Sequence, residues 1–382
     1  MHDEAIMRRC LELARLAEGR TSPNPIVGCV VVDKDNNFIA EGYHKKHGEH
    51  HAEVEALDIA GDKARGGTLF VNLEPCSHFG KQPPCADRII ESGIAKVVAA
   101  IQDPNPKVSG LGFKKLEDAG IKVVRDVLSI EAKLFNKPFL KAKTQGLPWM
   151  VLKIAATLDG HIADRDGKSQ WITGDQARSL VMNLRNKADA IIIGAGTARL
   201  DNPKLSVRGL DESRESRDPV RVVIDPNLSV DKNSNLFKKE LGGRTIVYCR
   251  EDKDNKNNLG DHVKIKKAPV SKSNNSSNSN NLDLVWILKD LVAEEGINSV
   301  MCEGGGVLAG SLLQENLVDD IYWFVAPKIL GDSKAKLAVE GQEAVSLDKA
   351  KAFELNAPQI IGSDLLLLLH NPESMAKLLG SL

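Results

Sequence analysis

The chain has 382 residues, 42% of them apolar and 27% charged, with 4% aromatics and a formal net charge of −1 at pH 7. That length is comfortable for two domains, each able to bury its own core. The balanced charge and scarcity of aromatics exclude the basic, ring-lined groove of a polynucleotide binder, and no apolar run reaches membrane-spanning length.

The opening segment MHDEAIMRRCLELARLAEGR begins with acids and sets Ile6, Cys10, Leu13, Ala14 and Ala17 on one helical face, an amphipathic helix rather than a signal peptide. IVGCVVV (26–32) and FIAEGY (38–43), separated by the turn-rich DKDNN, predict a strand hairpin. Residues 51–60 read as a helix, TLFVNL (68–73) as a buried strand, CADRIIESG (85–93) as a helix stopped by glycine, and AKVVAAI (95–101) as a strand. FKKLEDAG and IKVVRDV repeat the helix and strand pattern, and such alternation implies a layered α/β sheet.

The pattern breaks around LKAKTQGLPW (140–149), which places a domain boundary near residue 146. Beyond it MVLKIAAT, ADAIIIGAGT (188–197), PVRVVIDP (219–226), RTIVYC (244–249) and INSVMCEGGG (297–306) are further strand candidates. APVSKSNNSSNSNNLD (268–283) offers almost nothing to bury and reads as a mobile surface loop within the second domain, with a linker to a third as the alternative. Six scattered cysteines make no disulfide framework, so a reducing cytoplasm is expected.

The chemistry concentrates in two short stretches, HHAEVEALDIA (50–60) and LEPCSHFGKQPPC (73–85). A catalytic zinc takes three protein donors and keeps a fourth position open, and His51, Cys76 and Cys85 supply that set. Pro75 before Cys76 and Pro83-Pro84 before Cys85 predict two helix starts, where the helix dipole favours thiolates. Glu53, two residues past His51, stands where a proton shuttle is needed. The pair His51-Ala52-Glu53 and Pro75-Cys76 matches the His-x-Glu and Pro-Cys signature of zinc deaminases. The second cysteine departs from it, because SHFGKQPP lies between the two thiols; His78, Lys81 and Gln82 on that insert are candidate substrate contacts. A zinc that only staples the fold is the competing reading, but it has no use for Glu53. His44, His47 and His50 are alternative ligands, each better read as a solvated loop histidine, and iron is the alternative metal.

HAEVEA, LEPCSHFGKQPPC, TSPNPIVGCVVV and QDPNPKVSG together resemble the deaminase half of the bifunctional riboflavin-biosynthesis enzymes. In these a diaminohydroxyphosphoribosylaminopyrimidine deaminase is fused to a 5-amino-6-(5-phosphoribosylamino)uracil reductase. LKIAATLDGHIA, SQWITG, GTARLDNPKLSVR, RVVID and CEGGGVLAGSLL resemble the reductase half. The resemblance implies an α/β chain: a cytidine-deaminase-like three-layer domain at 1–146, zinc-dependent, followed at 147–382 by a dihydrofolate-reductase-like domain using NADPH. It puts cofactor contacts on Ala155, Trp171, Thr197, Asp201, Gly305, Gly306, Val307, Leu308, Ala309, Gly310 and Ser311. Substrate contacts fall on Ser169, Arg185, Leu205, Arg208 and Glu303.

By themselves the reductase residues say less. Gly194-Ala195-Gly196 begins a dinucleotide fingerprint, but Arg199 stands where the third glycine belongs. Glu303-Gly304-Gly305-Gly306 is better placed, between a strand and a helix where amides can face an anion, with a ligand-free tight turn as the alternative. Thr157-Leu158-Asp159-Gly160 alone could be an ordinary strand-ending turn. Ser169, Arg185 and Arg208 suit a ribose 5-phosphate, and Lys153 and Glu303 are candidates for proton handling. Asn24, His44, Asp103 and Asn105 are candidate pyrimidine or ribose contacts, with a turn or capping role as the alternative. The expected partners are a phosphorylated pyrimidine and further copies of this chain, with no nucleic acid and no membrane. A nucleobase deaminase carrying a non-catalytic assembly domain is the rival reading.

Overall fold

The structure, a computed structural model, describes residues 2–79, 83–105, 108–210, 216–254, 259–271, 281–341 and 346–380. It divides into two compact units, Met1–Gly146 with Ala376–Leu382, and Leu147–Met375. The first break falls between Gly146 and Leu147. The described residues from Ala376 to Gly380 group with the first unit.

In the first unit, α1 (His2–Arg15) leads to β1 (Gly28–Val32), β2 (Phe38–Tyr43), α2 (Ala52–Ala60), β3 (Thr68–Val71), α3 (Cys85–Glu91), β4 (Lys96–Ala99), α4 (Leu111–Asp118), β5 (Lys122–Val124), α5 (Ser129–Phe135) and α6 (Lys137–Gln145). The sheet order is β2-β1-β3-β4-β5; β1 runs antiparallel to β2 and β3, and β3, β4 and β5 are parallel. Two glycines show why it is three layers thick. A Cβ on Gly28 would lie 2.1 Å from the Cys10 carbonyl oxygen of α1, and one on Gly42 would lie 2.7 Å from the Ala56 nitrogen of α2. Since Gly28 pairs with Tyr43 and Gly42 with Cys29, the two glycines face opposite sides of the sheet, and each admits a helix at backbone contact.

The second unit contains β6 (Trp149–Thr157), β7 (His161–Ala163), α7 (Asp175–Lys187), β8 (Ala190–Gly194), α8 (Ala195–Asp201), β9 (Val220–Ile224), β10 (Thr245–Arg250), β11 (Val263–Ala268), α9 (Leu284–Glu295), β12 (Ser299–Cys302) and α10 (Gly306–Gln314). It continues with β13 (Asp320–Ala326), β14 (Lys336–Leu337), β15 (Glu354–Leu355), β16 (Gln359–Ile361), β17 (Asp364–His370) and α11 (Pro372–Gly380), whose end belongs to the first unit. The large sheet runs β11-β10-β9-β8-β12-β6-β13-β17-β15, with β16 also on β17; from β11 to β13 it is parallel, and β17 is antiparallel. Alternation splits each strand between two cores. Met150, Leu152, Ile154 and Ala156 of β6 join Ala190 and Ile192 of β8 and the apolar stripe of α9 on one face, while Ile191 and Ile193 face the other. Lys153 and Glu303 fall in the phase of this second face, the side carrying α7.

Most of the Ser/Asn-rich stretch, 272–280, lies outside the described residues. Its flanks meet: Ser271 N–H donates to the Asn281 carbonyl, Asp283 N–H to that of Pro269, and Val270 bridges Leu282. No helix among the described residues is long and apolar enough to cross a membrane.

Candidate active sites

His51, at the N-cap of α2, and Cys85, the first residue of α3, come together with Cys76 from the irregular segment after β3; their donor atoms lie within 4.8 Å of one another. Cys76 does not open a helix as expected. The first turn of α3 caps on it instead: Cys85 N–H donates to the Cys76 sulfur at 3.3 Å and Ala86 N–H to its carbonyl. The helix therefore still stabilises a thiolate at Cys76, but across space. With the Cys85 thiol donating to it, Cys76 sits down at about 4, while Cys85 keeps its proton. His51 Nδ1 is 3.2 Å from the Cys85 sulfur and 3.7 Å from that of Cys76, and the bond to Cys76 raises the imidazole's pKa. One imidazole and two thiolates suit zinc.

His51 and Cys76 reach a cavity of about 270 Å³, and Glu53 lines it too. Glu53 is only 4% exposed, and burial raises its pKa. A donor set open to a cavity beside a buried carboxyl argues against a zinc staple. His44 is no ligand. Its Nδ1–H donates to the His50 carbonyl at 2.9 Å, its Nε2 accepts from the Asn24 amide at 3.2 Å, and burial lowers its pKa, so a neutral ring stands edge-on to His51. His47 lines the cavity outside the donor group, and His50 is exposed. Asn24, His78, Asp103 and Asn105 also line the cavity; Lys81 and Gln82 lie outside the described residues.

Glu74 went unread in the sequence, yet it shapes this wall. Its buried carboxylate accepts from the amides of Asp103, Gly110, Gly112 and Phe113 at 2.8 to 3.3 Å, folding the loop that carries Asp103 and Asn105 around itself. Gly112 is obligatory there, since a Cβ would lie 2.0 Å from the Pro75 carbonyl. Asp103, accepting from Asn105 N–H, is pushed by burial up to about 6. A carboxyl whose folded pKa exceeds its unfolded value of about 3.9 costs stability once ionised; the cost is absent below that value and complete above about 6. Asp103→Asn should accordingly stabilise the first unit at pH 8 and gain nothing at pH 3.5, measured by urea unfolding; equal gains at both would refute it.

The second unit holds a cavity of about 1270 Å³ at the carboxyl ends of β8, β9 and β12, where open α/β sheets take ligands. Gly194 and Gly305 cap α8 and α10 there, and Thr197 Oγ1 accepts from Gly305 N–H at 3.0 Å, tying the two helix starts together. Of the expected cofactor contacts, Ala155, Trp171, Thr197 and Asp201 line it, as do Gly305 to Leu308 and Ser311. Ala309 and Gly310 do not: Ala309 is buried, and a Cβ on Gly310 would lie 1.9 Å from the Glu340 carbonyl. Gly306 likewise faces Leu337, 2.3 Å from its carbonyl, so these glycines admit the 337–340 segment.

The expected substrate contacts Ser169, Arg185, Leu205, Arg208 and Glu303 all line the cavity, with Lys153. Ser169 Oγ donates to Asp201 at 3.1 Å. Arg185 is already engaged: Nε and Nη2 hold Glu303 at 2.6 and 2.9 Å, and Nη1 donates to the Ser206 carbonyl. Burial opposes the charge on Glu303, but Arg185 and Lys153 outweigh it and hold the carboxyl below its usual range; burial lowers Lys153. Arg208 stays exposed on this wall. Asp159 is structural, accepting from Thr157 Oγ1 and the amides of Leu330 and Gly331.

Comparison with known proteins follows this division. Residues 1–101 match the cytidine and deoxycytidylate deaminase zinc-binding region, and 148–367 match the RibD C-terminal domain. The riboflavin biosynthesis protein RibD of Escherichia coli is 41% identical over 96% of this chain and 99% of its own, and that of Aquifex aeolicus 40% over 94% and 97%. Acinetobacter baumannii RibD superposes with a TM-score of 0.86 at 34% identity, covering 96% of this chain and 98% of that one. A Thermotoga maritima diaminohydroxyphosphoribosylaminopyrimidine deaminase/5-amino-6-(5-phosphoribosylamino)uracil reductase superposes at 0.83 with 36% identity, covering 97% and 98%. With a zinc-dependent cytidine-deaminase-like unit and a dihydrofolate-reductase-like unit of the kind that uses NADPH, the chain belongs to the RibD family of bifunctional deaminase/reductases of riboflavin biosynthesis.

Proposed function

We propose that the first cavity deaminates 2,5-diamino-6-(5-phosphoribosylamino)pyrimidin-4(3H)-one at C2 and that the second reduces the product's ribosyl group to ribityl 5-phosphate. The observation that carries the reading is Glu53, a buried carboxyl on the same cavity wall as His51 and Cys76. His51, Cys76 and Cys85 would hold the zinc, which supplies Lewis acidity that makes a water acidic near neutral pH. Glu53 then accepts the proton of the attacking water on its carboxylate and returns it to the departing amine. Neutral His44, fixed by Asn24 and His50, walls the pocket without competing for that proton. Asp103 and Asn105, held by the Glu74 loop, would bind the ribosyl side.

In the second cavity NADPH supplies the hydride. The Lys153 ammonium beside Glu303, its pKa lowered by burial, is placed to give a proton to the sugar oxygen as the ring opens. Arg208 would take the phosphate, since Arg185 is committed to Glu303. A cytoplasmic setting, where all six free thiols stay reduced, and self-association complete the proposal.

The test follows ammonia release and then NADPH oxidation in one tube with the diaminopyrimidinone substrate. Ammonia first and NADPH loss second is expected; NADPH loss preceding ammonia would reverse the order proposed. Arg208→Ala should raise the KM of reduction about tenfold, one charge-assisted contact, and leave the KM of deamination alone. An equal rise in both would contradict a phosphate role confined to the second cavity.

A further inference from the structure

The backbone carrying Trp171 is pinned at three points. Lys328 Nζ donates to the Trp171 carbonyl at 2.8 Å, Arg178 Nη1 to the Thr173 carbonyl at 2.6 Å, and Gly174 N–H to the buried Asp364 carboxylate at 2.7 Å. Trp171, by contrast, is 59% exposed as a residue and stands on the cavity wall. Its support is the Arg178 guanidinium, whose carbon lies 4.4 Å from the ring centroid. Arg178 is itself oriented by the Thr173 carbonyl and by Asp175 in the first turn of α7. A guanidinium plane over one indole face leaves the other for a flat ligand ring, and the cation–π contact spares the indole the entropy of ordering when that ring arrives.

We propose that Arg178 is a positioning residue of the reductase, holding Trp171 as a preformed stacking wall for a heteroaromatic ring of the bound nicotinamide dinucleotide. The proposal rests on the second cavity being the NADPH site. Arg178 also lines this cavity, and the role assigned to it is exerted through Trp171.

The experiment is a double-mutant cycle on the full chain, with Arg178→Met, Trp171→Leu and the pair, read by NADPH fluorescence titration without substrate. Arg178→Met should weaken NADPH about fivefold, the scale of one exposed cation–π contact, and Arg178→Lys should recover most of that loss. In the Trp171→Leu background, Arg178→Met should add almost nothing. An undiminished effect of Arg178→Met in that background, or no effect in the parent, would overturn the positioning role while leaving the cofactor site standing. Absence of NADPH binding by the unaltered chain would remove the cofactor reading and this proposal together.

Discussion

Glu53→Gln should lower the kcat of deamination roughly 10³-fold, within the range of a lost general acid–base, while zinc content stays at one per chain. The carboxamide keeps the shape and burial of the carboxyl but cannot accept a proton from water. His51, Cys76 and Cys85 bond among themselves and to the first turn of α3, and the Glu53 side chain bonds the Cys85 thiol, a contact the carboxamide can still accept. Zinc retention by metal analysis therefore separates loss of proton transfer from loss of the site. NADPH oxidation with the already deaminated substrate should continue at the parental rate. Near-normal ammonia release by this variant would remove Glu53 from the mechanism.

The second large effect concerns stability. Arg185→Ala should cost the second unit about 3 kcal/mol, because it strands Glu303, whose side chain is 9% exposed, without its bidentate partner. Lys153 remains nearby and offsets part of the charge, which places the expectation at the lower end of the roughly 3–5 kcal/mol typical of breaking a buried ion pair. Adding Glu303→Gln to Arg185→Ala should restore most of the loss, since the stranded charge, not the missing contact, dominates the cost. Urea unfolding followed by a probe in the second unit decides the matter. If the double variant is no more stable than Arg185→Ala alone, the ion pair is not the reason these residues face each other.

What the sequence revealed is what short spacing encodes. His51, Glu53, Cys76 and Cys85 were legible because motif chemistry names them, and most strands from 28–32 to 299–302 because continuous apolar runs mark them, while the short β7 and the lysine-rich β11 went unread. Glu74 was invisible for a physical reason: its four amide donors come from residues 103 to 113, and a carboxylate's acceptors leave no periodic trace. Pro75 suggested a helix start at Cys76, but the helix that caps there is the later one. Arg185 and Glu303 were each chosen for substrate, and nothing local shows that residues 118 apart would bind each other first. Gly306 ends the run whose amides could face an anion and Gly310 is a cofactor contact by resemblance, yet the close neighbour of each is the 337–340 segment. The C-terminal strands β13 to β17 went unread, and DLLLLLH is too uniformly apolar to declare a face.

The closing residues carry a consequence for gene architecture. Leu378 is buried, and Lys133 Nζ in α5 donates to the Leu379 carbonyl at 2.7 Å, so the chain leaves the first unit at Gly146 and rejoins it at Ala376. In topological terms the reductase is an insert within the deaminase, not a bead strung after it. A gene cut after codon 146 would deprive Lys133 of its carbonyl and send Leu378 out on the wrong fragment. A bulky fusion at the carboxyl end would be felt first by the half encoded at the start.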